Sequence, residues 1–136
     1  MATIRKEISI RAPAAEVWDA VRDVGQVHRR LVPGVFTDAR MDGDGARVVT
    51  FANGMVVREL IVTVDDDERR FVYAATGGRA THHNASMQVL DHGPEACRLV
   101  WITDVLPDEV AAGLAALVEQ GASVMKRTLE HRDSSA

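Results

Sequence analysis

The stretch ACRLVWITDVLPDEVAAGLAALVEQGASVMKRTL (residues 96–129) joins a short strand-forming run to a long helix-forming one. Its first ten residues are rich in β-branched and aromatic side chains, as a strand requires. Pro107 ends that strand, because proline cannot donate a hydrogen bond to a neighbouring strand. From about residue 108 to 130, apolar side chains and one glycine recur at helical spacing: Val110, Leu114, Leu117, Val118, Gly121, Val124, Met125 and Leu129. At about 1.5 Å per residue this helix is about 35 Å long, so we expect it to lie across several strands.

Further extended runs precede this stretch, and turn-forming residues such as Asn53-Gly54 and Gly77-Gly78 separate them. The runs are VFTDARM (35–41), ARVVTF (46–51), MVVRELIVTV (55–64), RRFVYAAT (69–76) and HHNASMQVL (82–90). Neighbouring strands that are joined by such short turns must pair antiparallel. The pattern therefore predicts an antiparallel meander over residues 35–105.

The N-terminal part of the chain predicts one more strand and one or two short helices. TIRKEISIR (3–11) alternates between apolar and polar side chains, which is the period of a half-buried strand. Pro13 ends it, and Val17, Trp18 and Val21 then follow at the spacing of an amphipathic helix over residues 14–21. Residues 24–34 predict a second short helix or an irregular segment.

The composition excludes several classes of protein. A chain of 136 residues that is 46% hydrophobic can bury one core, so we expect a single domain over residues 1–136. The 20 acidic and 16 basic side chains are mixed along the chain and give a net charge of -4, so nucleic acid is not an expected partner. The single cysteine, Cys97, predicts an inert buried thiol and a reducing, cytoplasmic location. The N-terminus has no apolar leader and no run reaches the roughly 18 apolar residues of a membrane span, so we expect neither export nor a span.

The order of these motifs resembles the START/birch-pollen-allergen (SRPBCC) superfamily, in particular its polyketide cyclase/dehydrase-like branch. The resemblance covers nearly the whole chain and is carried by Ile8, Ile10, Ala12, Pro13, Val17, Trp18, Gly54, Val57, Glu59, the DDERR turn (66–70), Tyr73, Gly77-Gly78 and the step from Trp101 to Pro107. It implies an α+β helix-grip fold, in which a seven-stranded antiparallel sheet wraps around a long C-terminal helix. Two short helices then lie between the first and second strands.

Proteins of this superfamily bind hydrophobic ligands between the sheet and the helix, and some of them are cyclases or dehydratases. Strand alternation indicates which side chains face that space, since neighbouring residues point to opposite faces. It places His83 with the apolar side chains of its strand and Trp101 on the better core face of the last strand. Arg47 shares a side with Phe51, where it can pair with Glu59. Alternation alone does not decide which way Glu59 points, and the resemblance implies that it points inward.

The predicted ligand-binding residues combine a polar cluster with an apolar pocket. They are Arg47, Phe51, Tyr73, His83, Met87, Trp101, Leu114, Leu117 and Val118. The simpler interpretations stay open, because a lone histidine among apolar residues is commonly a core residue and an Arg/Glu pair is commonly structural. His28 is a candidate rim residue. No metal or other cofactor is predicted, since the adjacent His82 and His83 point to opposite faces and cannot share one ion.

Three hypotheses about function follow. The first is a carrier or binding protein for a hydrophobic small molecule such as a lipid, a polyketide or an aromatic compound. The second is a polyketide cyclase or dehydratase in which His83 is the general acid/base, Glu59 sets its tautomer, and Arg47 or Tyr73 steadies an enolate oxygen. The third is a protein-interaction module, or a homodimer formed through the outer face of the sheet.

Overall fold

The computed structural model describes residues 2–77 and 79–131, and within them seven strands form one antiparallel sheet. The strands are β1 (Ala2–Ile10), β2 (Phe36–Met41), β3 (Ala46–Phe51), β4 (Val56–Asp65), β5 (Arg70–Thr76), β6 (His82–Asp91) and β7 (Cys97–Leu106). Strands β2 to β7 follow one another as a meander, and β1 returns to pair with β7. The α+β helix-grip fold expected from the sequence is confirmed, with strand boundaries within about a residue of those predicted. Gly78 of the predicted Gly77-Gly78 turn lies outside the described residues.

The helices also follow the predicted order. They are α1 (Ala14–Arg22), a short 3₁₀ turn (Val24–Gln26), α2 (Val27–Arg30), a second 3₁₀ turn (Asp108–Val110) and the long α3 (Ala111–His131). The segment after Val24 is thus a turn of 3₁₀ helix that leads into one turn of α-helix. The predicted C-terminal helix includes the 3₁₀ turn as its first three residues.

The C-terminal half of α3 packs into the core, whereas its first two turns stand further out. Val118, Gly121, Ala122, Met125 and Leu129 are its buried residues, and none of them precedes position 118. The end of the helix is tied to the end of β1: Lys126 donates to the carbonyl of Ser9, and Glu130 accepts a hydrogen bond of 2.9 Å from the Arg11 amide. The space between helix and sheet is therefore widest beneath residues 111–117.

Gly121 allows α3 to approach the sheet at Trp101. A Cβ atom at position 121 would lie 3.3 Å from two carbons of the indole ring, closer than most such contacts in proteins. The Trp101 ring packs against the place that a side chain at position 121 would take, so the glycine permits this close contact.

The outer face of β4 is more apolar than a solvated sheet face usually is. Val56 and Val62 are 56% and 57% exposed, and Leu60 and Val64 are exposed as well. Two-sided apolar strands are the feature on which the homodimer hypothesis depends, and that hypothesis stays a prediction. Among the described residues, the helices are too short or too polar to cross a membrane.

Candidate ligand-binding site

Two adjoining chambers lie between the inner face of the sheet and α3. The inner chamber has a volume of about 80 Å³ and the outer one of about 280 Å³. They share five lining residues, which we call the neck: Phe51, Glu59, His83, Leu114 and Leu117. The neck is apolar on the side of α3 and carries one carboxylate and one imidazole on the side of the sheet.

The structure brings all the predicted ligand-binding residues to one place. The inner chamber is lined by Arg47, Phe51, Tyr73, His83, Met87, Trp101, Leu114, Leu117 and Val118, together with Glu59. Strand alternation found His83 and Trp101 because β6 and β7 pair in regular register. The helical stripe found Leu114, Leu117 and Val118, and the resemblance implied that Glu59 points inward. That they contact a ligand stays a prediction. His28, the candidate rim residue, is absent from the described lining of both chambers.

Other lining residues were missed by sequence reasoning. Val27, Val32 and Val35 reach the inner chamber from the segment around α2, whose pattern is neither helical nor alternating. Thr103 could have been found, because it lies two positions from Trp101 on the same face of β7. The rest of the outer chamber is lined by the strand residues Val57 and Ala75 and by residues of turns and of the start of the C-terminal helix: Met55, Gly77, Arg79, Ala80, Glu109, Val110 and Gly113.

Arg47 and Glu59 form a buried ion pair at the wall of the inner chamber. They are direct partners across β3 and β4, and only 3% and 5% of their surfaces are exposed. Nε and Nη2 of Arg47 each lie 2.8 Å from the same carboxylate oxygen, Glu59 Oε1. Nη1 of Arg47 donates to the Val24 carbonyl at 2.9 Å. The guanidinium is therefore held by three of its donor groups, and its charge is offset by Glu59.

Two aromatic rings also hold this guanidinium. Its carbon lies 5.2 Å from the ring centre of Phe71 and 5.5 Å from that of Tyr73, within the range of cation–π attraction. Burial raises the pKa of the Tyr73 hydroxyl, and the nearby Glu59 carboxylate raises it further. The Arg47 charge lowers this pKa, but by less than Glu59 raises it. Tyr73 is therefore a protonated phenol at neutral pH.

Trp101 packs its indole beside Tyr73. Its Nε1 is enclosed and has no hydrogen-bond partner in the described part of the chain. The indole N–H lies near enough to the Tyr73 hydroxyl to lower its pKa slightly, but the two groups do not meet hydrogen-bond geometry. The indole thus contributes apolar surface to the chamber rather than a hydrogen bond.

His83 lines both chambers and is half-buried. Its ring centre lies 6.5 Å from that of Tyr73. Burial lowers the pKa of its imidazole, and the neighbouring His82 lowers it further, so the neutral form dominates at pH 7. Within residues 2–77 and 79–131, no hydrogen bond joins His83 to Glu59, whose Oε1 is held by Arg47. The predicted arrangement in which Glu59 sets the tautomer of His83 is therefore not formed.

Charged groups at the outer chamber come from two different segments. Arg79 belongs to the turn between β5 and β6, and Glu109 to the 3₁₀ turn before α3. Among the described residues, no three histidine, cysteine, aspartate or glutamate side chains gather as a metal ion would need. The site thus offers burial and a few hydrogen-bonding groups.

Comparison with known proteins agrees with this architecture. The model of the family described as "Polyketide cyclase / dehydrase and lipid transport" matches residues 1–131. The chain belongs to this family. None of the curated proteins matches the sequence.

Several solved structures share the fold. A protein of Thermobifida fusca is 27% identical, with a TM-score of 0.81, and the match covers 99% of this chain and 95% of that one. A START superfamily protein of Mycobacterium smegmatis is 13% identical, with a TM-score of 0.73 and coverage of 98% and 97%. Norcoclaurine synthase of Thalictrum flavum is 19% identical, with a TM-score of 0.76 and coverage of 99% and 87%. At such identities, the last two show the fold alone.

Proposed function

We propose that this protein binds a small hydrophobic molecule in the two chambers and acts as its carrier or binding protein. The observation that carries the proposal is the cavity itself, an apolar space beside α3 with one ion pair and one imidazole in its wall. Ligand sites in proteins usually combine apolar walls with a few placed polar groups. Membership in a family described by polyketide chemistry and lipid transport supports the same function.

The size of the chambers limits the ligand. The outer chamber, at about 280 Å³, approaches the roughly 300 Å³ at which drug-sized pockets begin. The inner chamber, at about 80 Å³, is smaller than the roughly 150 Å³ cavity that accepts benzene in another protein. We therefore expect a ligand of one or two rings, or a short acyl chain, whose end enters the inner chamber. Each methylene buried contributes about 0.8 kcal/mol to binding.

Gly113 provides a test of where the ligand binds. It lines the outer chamber, and an added Cβ atom there meets nothing within 4 Å. Gly113→Trp should fill the outer chamber without straining α3 and should abolish binding. Gly113→Ala is the matched control, because it replaces the same glycine in the first turn of α3 and leaves the chamber nearly unchanged.

Native mass spectrometry of the gently purified protein, followed by a thermal-shift screen of aromatic compounds and lipids, provides the measurement. We expect bound species or raised melting temperatures for the wild type and for Gly113→Ala, and neither for Gly113→Trp. A wild-type protein that carries nothing and is shifted by nothing contradicts the proposal. Undiminished binding by Gly113→Trp contradicts the location.

A second candidate function is a cyclase or dehydratase reaction in which His83 moves a proton. The observation that favours it is a neutral imidazole at the neck, where it lines both chambers. A positioned base of this kind contributes typically about 10² to 10⁴-fold to a proton transfer. Because Arg47 holds Glu59, His83 acts in this hypothesis without a carboxylate partner.

Deuterium exchange into a small ketone tests this second function. The wild type should accelerate exchange at the carbon beside the carbonyl of 1-tetralone, as followed by NMR in deuterated buffer. His83→Ala should lose the acceleration and keep the binding of the ketone. Exchange that is equally fast in both proteins, or no faster than in buffer, contradicts the role of His83.

A further inference from the structure

The ion pair leaves one oxygen of the Glu59 carboxylate without a partner. Both contacts from Arg47 go to Oε1, and within the described residues no hydrogen bond reaches Oε2. The enclosed polar side-chain atoms that lack a partner in this part of the chain are His28 Nδ1 and Trp101 Nε1. Since Oε2 is not one of them, it is open to the cavity that Glu59 lines.

The surroundings of this oxygen are mostly apolar. Glu59 stands at the neck with Phe51, Leu114 and Leu117, and His83, the other polar residue there, makes no hydrogen bond to it among the described residues. A ligand that fills the neck takes this oxygen out of contact with water, and leaving a charged acceptor without a donor is then costly. A ligand that donates a hydrogen bond removes this cost, and a hydrocarbon of the same shape does not.

The charge of the site decides whether the donor group of the ligand is neutral or ionic. Arg47 already offsets the charge of Glu59, and His83 is neutral at pH 7, so the neck itself has no net charge for an ionic ligand to balance. The charged residues of the outer chamber, Arg79 and Glu109, have opposite signs. An anion would face the Glu59 carboxylate, and an ammonium group would have to leave water without a free counter-charge. A neutral hydroxyl or N–H group has neither disadvantage.

We propose that the ligand carries a neutral hydroxyl or N–H group that donates to Glu59 Oε2, with its apolar body in the adjoining chambers. The proposal rests on the proposed function and narrows it to alcohols, phenols and neutral N–H compounds. Glu59 lies where the two chambers meet, so the donor group lies between the part of the ligand in the inner chamber and the part in the outer chamber.

Three probes of nearly equal shape separate hydrogen bonding from burial: 2-naphthol, 2-methoxynaphthalene and 2-methylnaphthalene. The first donates a hydrogen bond, the second only accepts one, and the third does neither. Dissociation constants come from calorimetric titration at about pH 7, where 2-naphthol is neutral because phenols titrate near pH 10. We expect 2-naphthol to bind the wild type roughly tenfold or more tightly than 2-methylnaphthalene, as one hydrogen bond to a charged acceptor provides. The methoxy compound should show no such gain.

Variants identify the acceptor. Glu59→Gln should reduce the preference for 2-naphthol, since an amide oxygen is a weaker acceptor than a carboxylate. If this variant does not fold because Arg47 has lost its partner, the double variant Arg47→Met/Glu59→Leu replaces the pair with apolar side chains of similar size. It should bind 2-methylnaphthalene and show no preference for the naphthol. Asp42→Asn, the matched control, removes a carboxylate that pairs with Arg58 outside both chambers and should keep the preference.

The outcomes separate this proposal from the proposed function. If none of the three probes binds, binding of a small aromatic molecule in the chambers is contradicted, and the donor proposal with it. If all three bind equally, the chambers hold a ligand and the donor proposal alone is overturned. A preference that persists without Glu59 also overturns it, because the acceptor is then another group. A preference that disappears in Asp42→Asn overturns it as well, because the effect is then not specific to Glu59.

Discussion

Replacing Glu59 with leucine should be among the most damaging single substitutions in this chain. The change leaves Arg47 only 3% exposed, with its charge unpaired and two of its hydrogen-bonding contacts to Glu59 Oε1 gone. Arginine cannot shed its proton in a protein, so the site cannot escape by becoming neutral. Breaking a buried ion pair in this way costs about 3 to 5 kcal/mol. Domains are typically stable by only about 5 to 15 kcal/mol, so a large part of the total would be lost.

The partner substitution should be milder. In Arg47→Met the carboxylate of Glu59 stays at the neck, where Oε2 is open to the chambers, so less charge is left enclosed than in Glu59→Leu. In the double variant Arg47→Met/Glu59→Leu, no charge is left in the apolar wall, and most of the stability should return. The two substitutions should therefore be strongly non-additive, as expected for groups in direct contact.

Urea unfolding of the wild type, the two single variants and the double variant measures these free energies. The matched control is the surface pair in which Arg58 Nε lies 3.0 Å from Asp42 Oδ2, with side chains 47% and 53% exposed. Asp42→Ala should cost less than about 1 kcal/mol, because solvent screens such a pair. If Glu59→Leu costs no more than Asp42→Ala, the pair is not buried as the structure shows it, and the reasoning is refuted.

Three further predictions concern other parts of the fold. Gly121→Ala should destabilise the protein by roughly 1 to 3 kcal/mol in urea unfolding, since its Cβ would meet the Trp101 ring at 3.3 Å, whereas Gly113→Ala should be neutral or stabilising. Burial lowers the pKa of His83 in the folded chain below its ordinary value, so as the pH drops the unfolded chain binds the proton first. The free energy of unfolding should therefore fall below about pH 6.5. Urea unfolding between about pH 5 and 7.5 should show a weaker dependence of this free energy on pH for His83→Asn than for the wild type. Burial raises the pKa of Cys97 to about 11, so a thiol reagent at about pH 8 should modify it only on unfolding, and rapid modification of the native protein would contradict this.

Residue patterns were enough to predict the architecture because each element has one dominant period. The alternation of TIRKEISIR and the helical stripe from Val110 to Leu129 each leave one way to bury the apolar side chains. Residues 24–34 lack such a period, and there the sequence predicted a choice between a helix and an irregular segment. The structure contains a 3₁₀ turn and one helical turn there, and the valines of this segment complete the inner chamber.

The orientation of Glu59 could not be derived from strand alternation, for a physical reason. Both alternating sets of side chains in β4 are largely apolar, so the burial of apolar side chains favours neither orientation of the strand. In the structure the outward Val56 and Val62 remain more than half exposed. Pairing decides it: Arg47 and Glu59 are direct neighbours on β3 and β4, and both charges can be buried only together. The sequence did not predict the outer chamber, because turns supply much of its lining and turn residues follow no hydrophobic period.

The simple interpretation of the Arg47–Glu59 pair, that it stabilises the core, is weak on energetic grounds. Taking two charges out of water costs several kcal/mol per ion, and apolar residues of similar size often serve stability equally well. What the pair provides that leucine and methionine cannot is a carboxylate in an apolar cavity, held by an immobile guanidinium on one oxygen and open on the other. Such a group is pre-organised for a donor, so binding it requires little further ordering. Stability measurements and ligand preference should therefore diverge in the double variant, which should fold well and lose its selectivity.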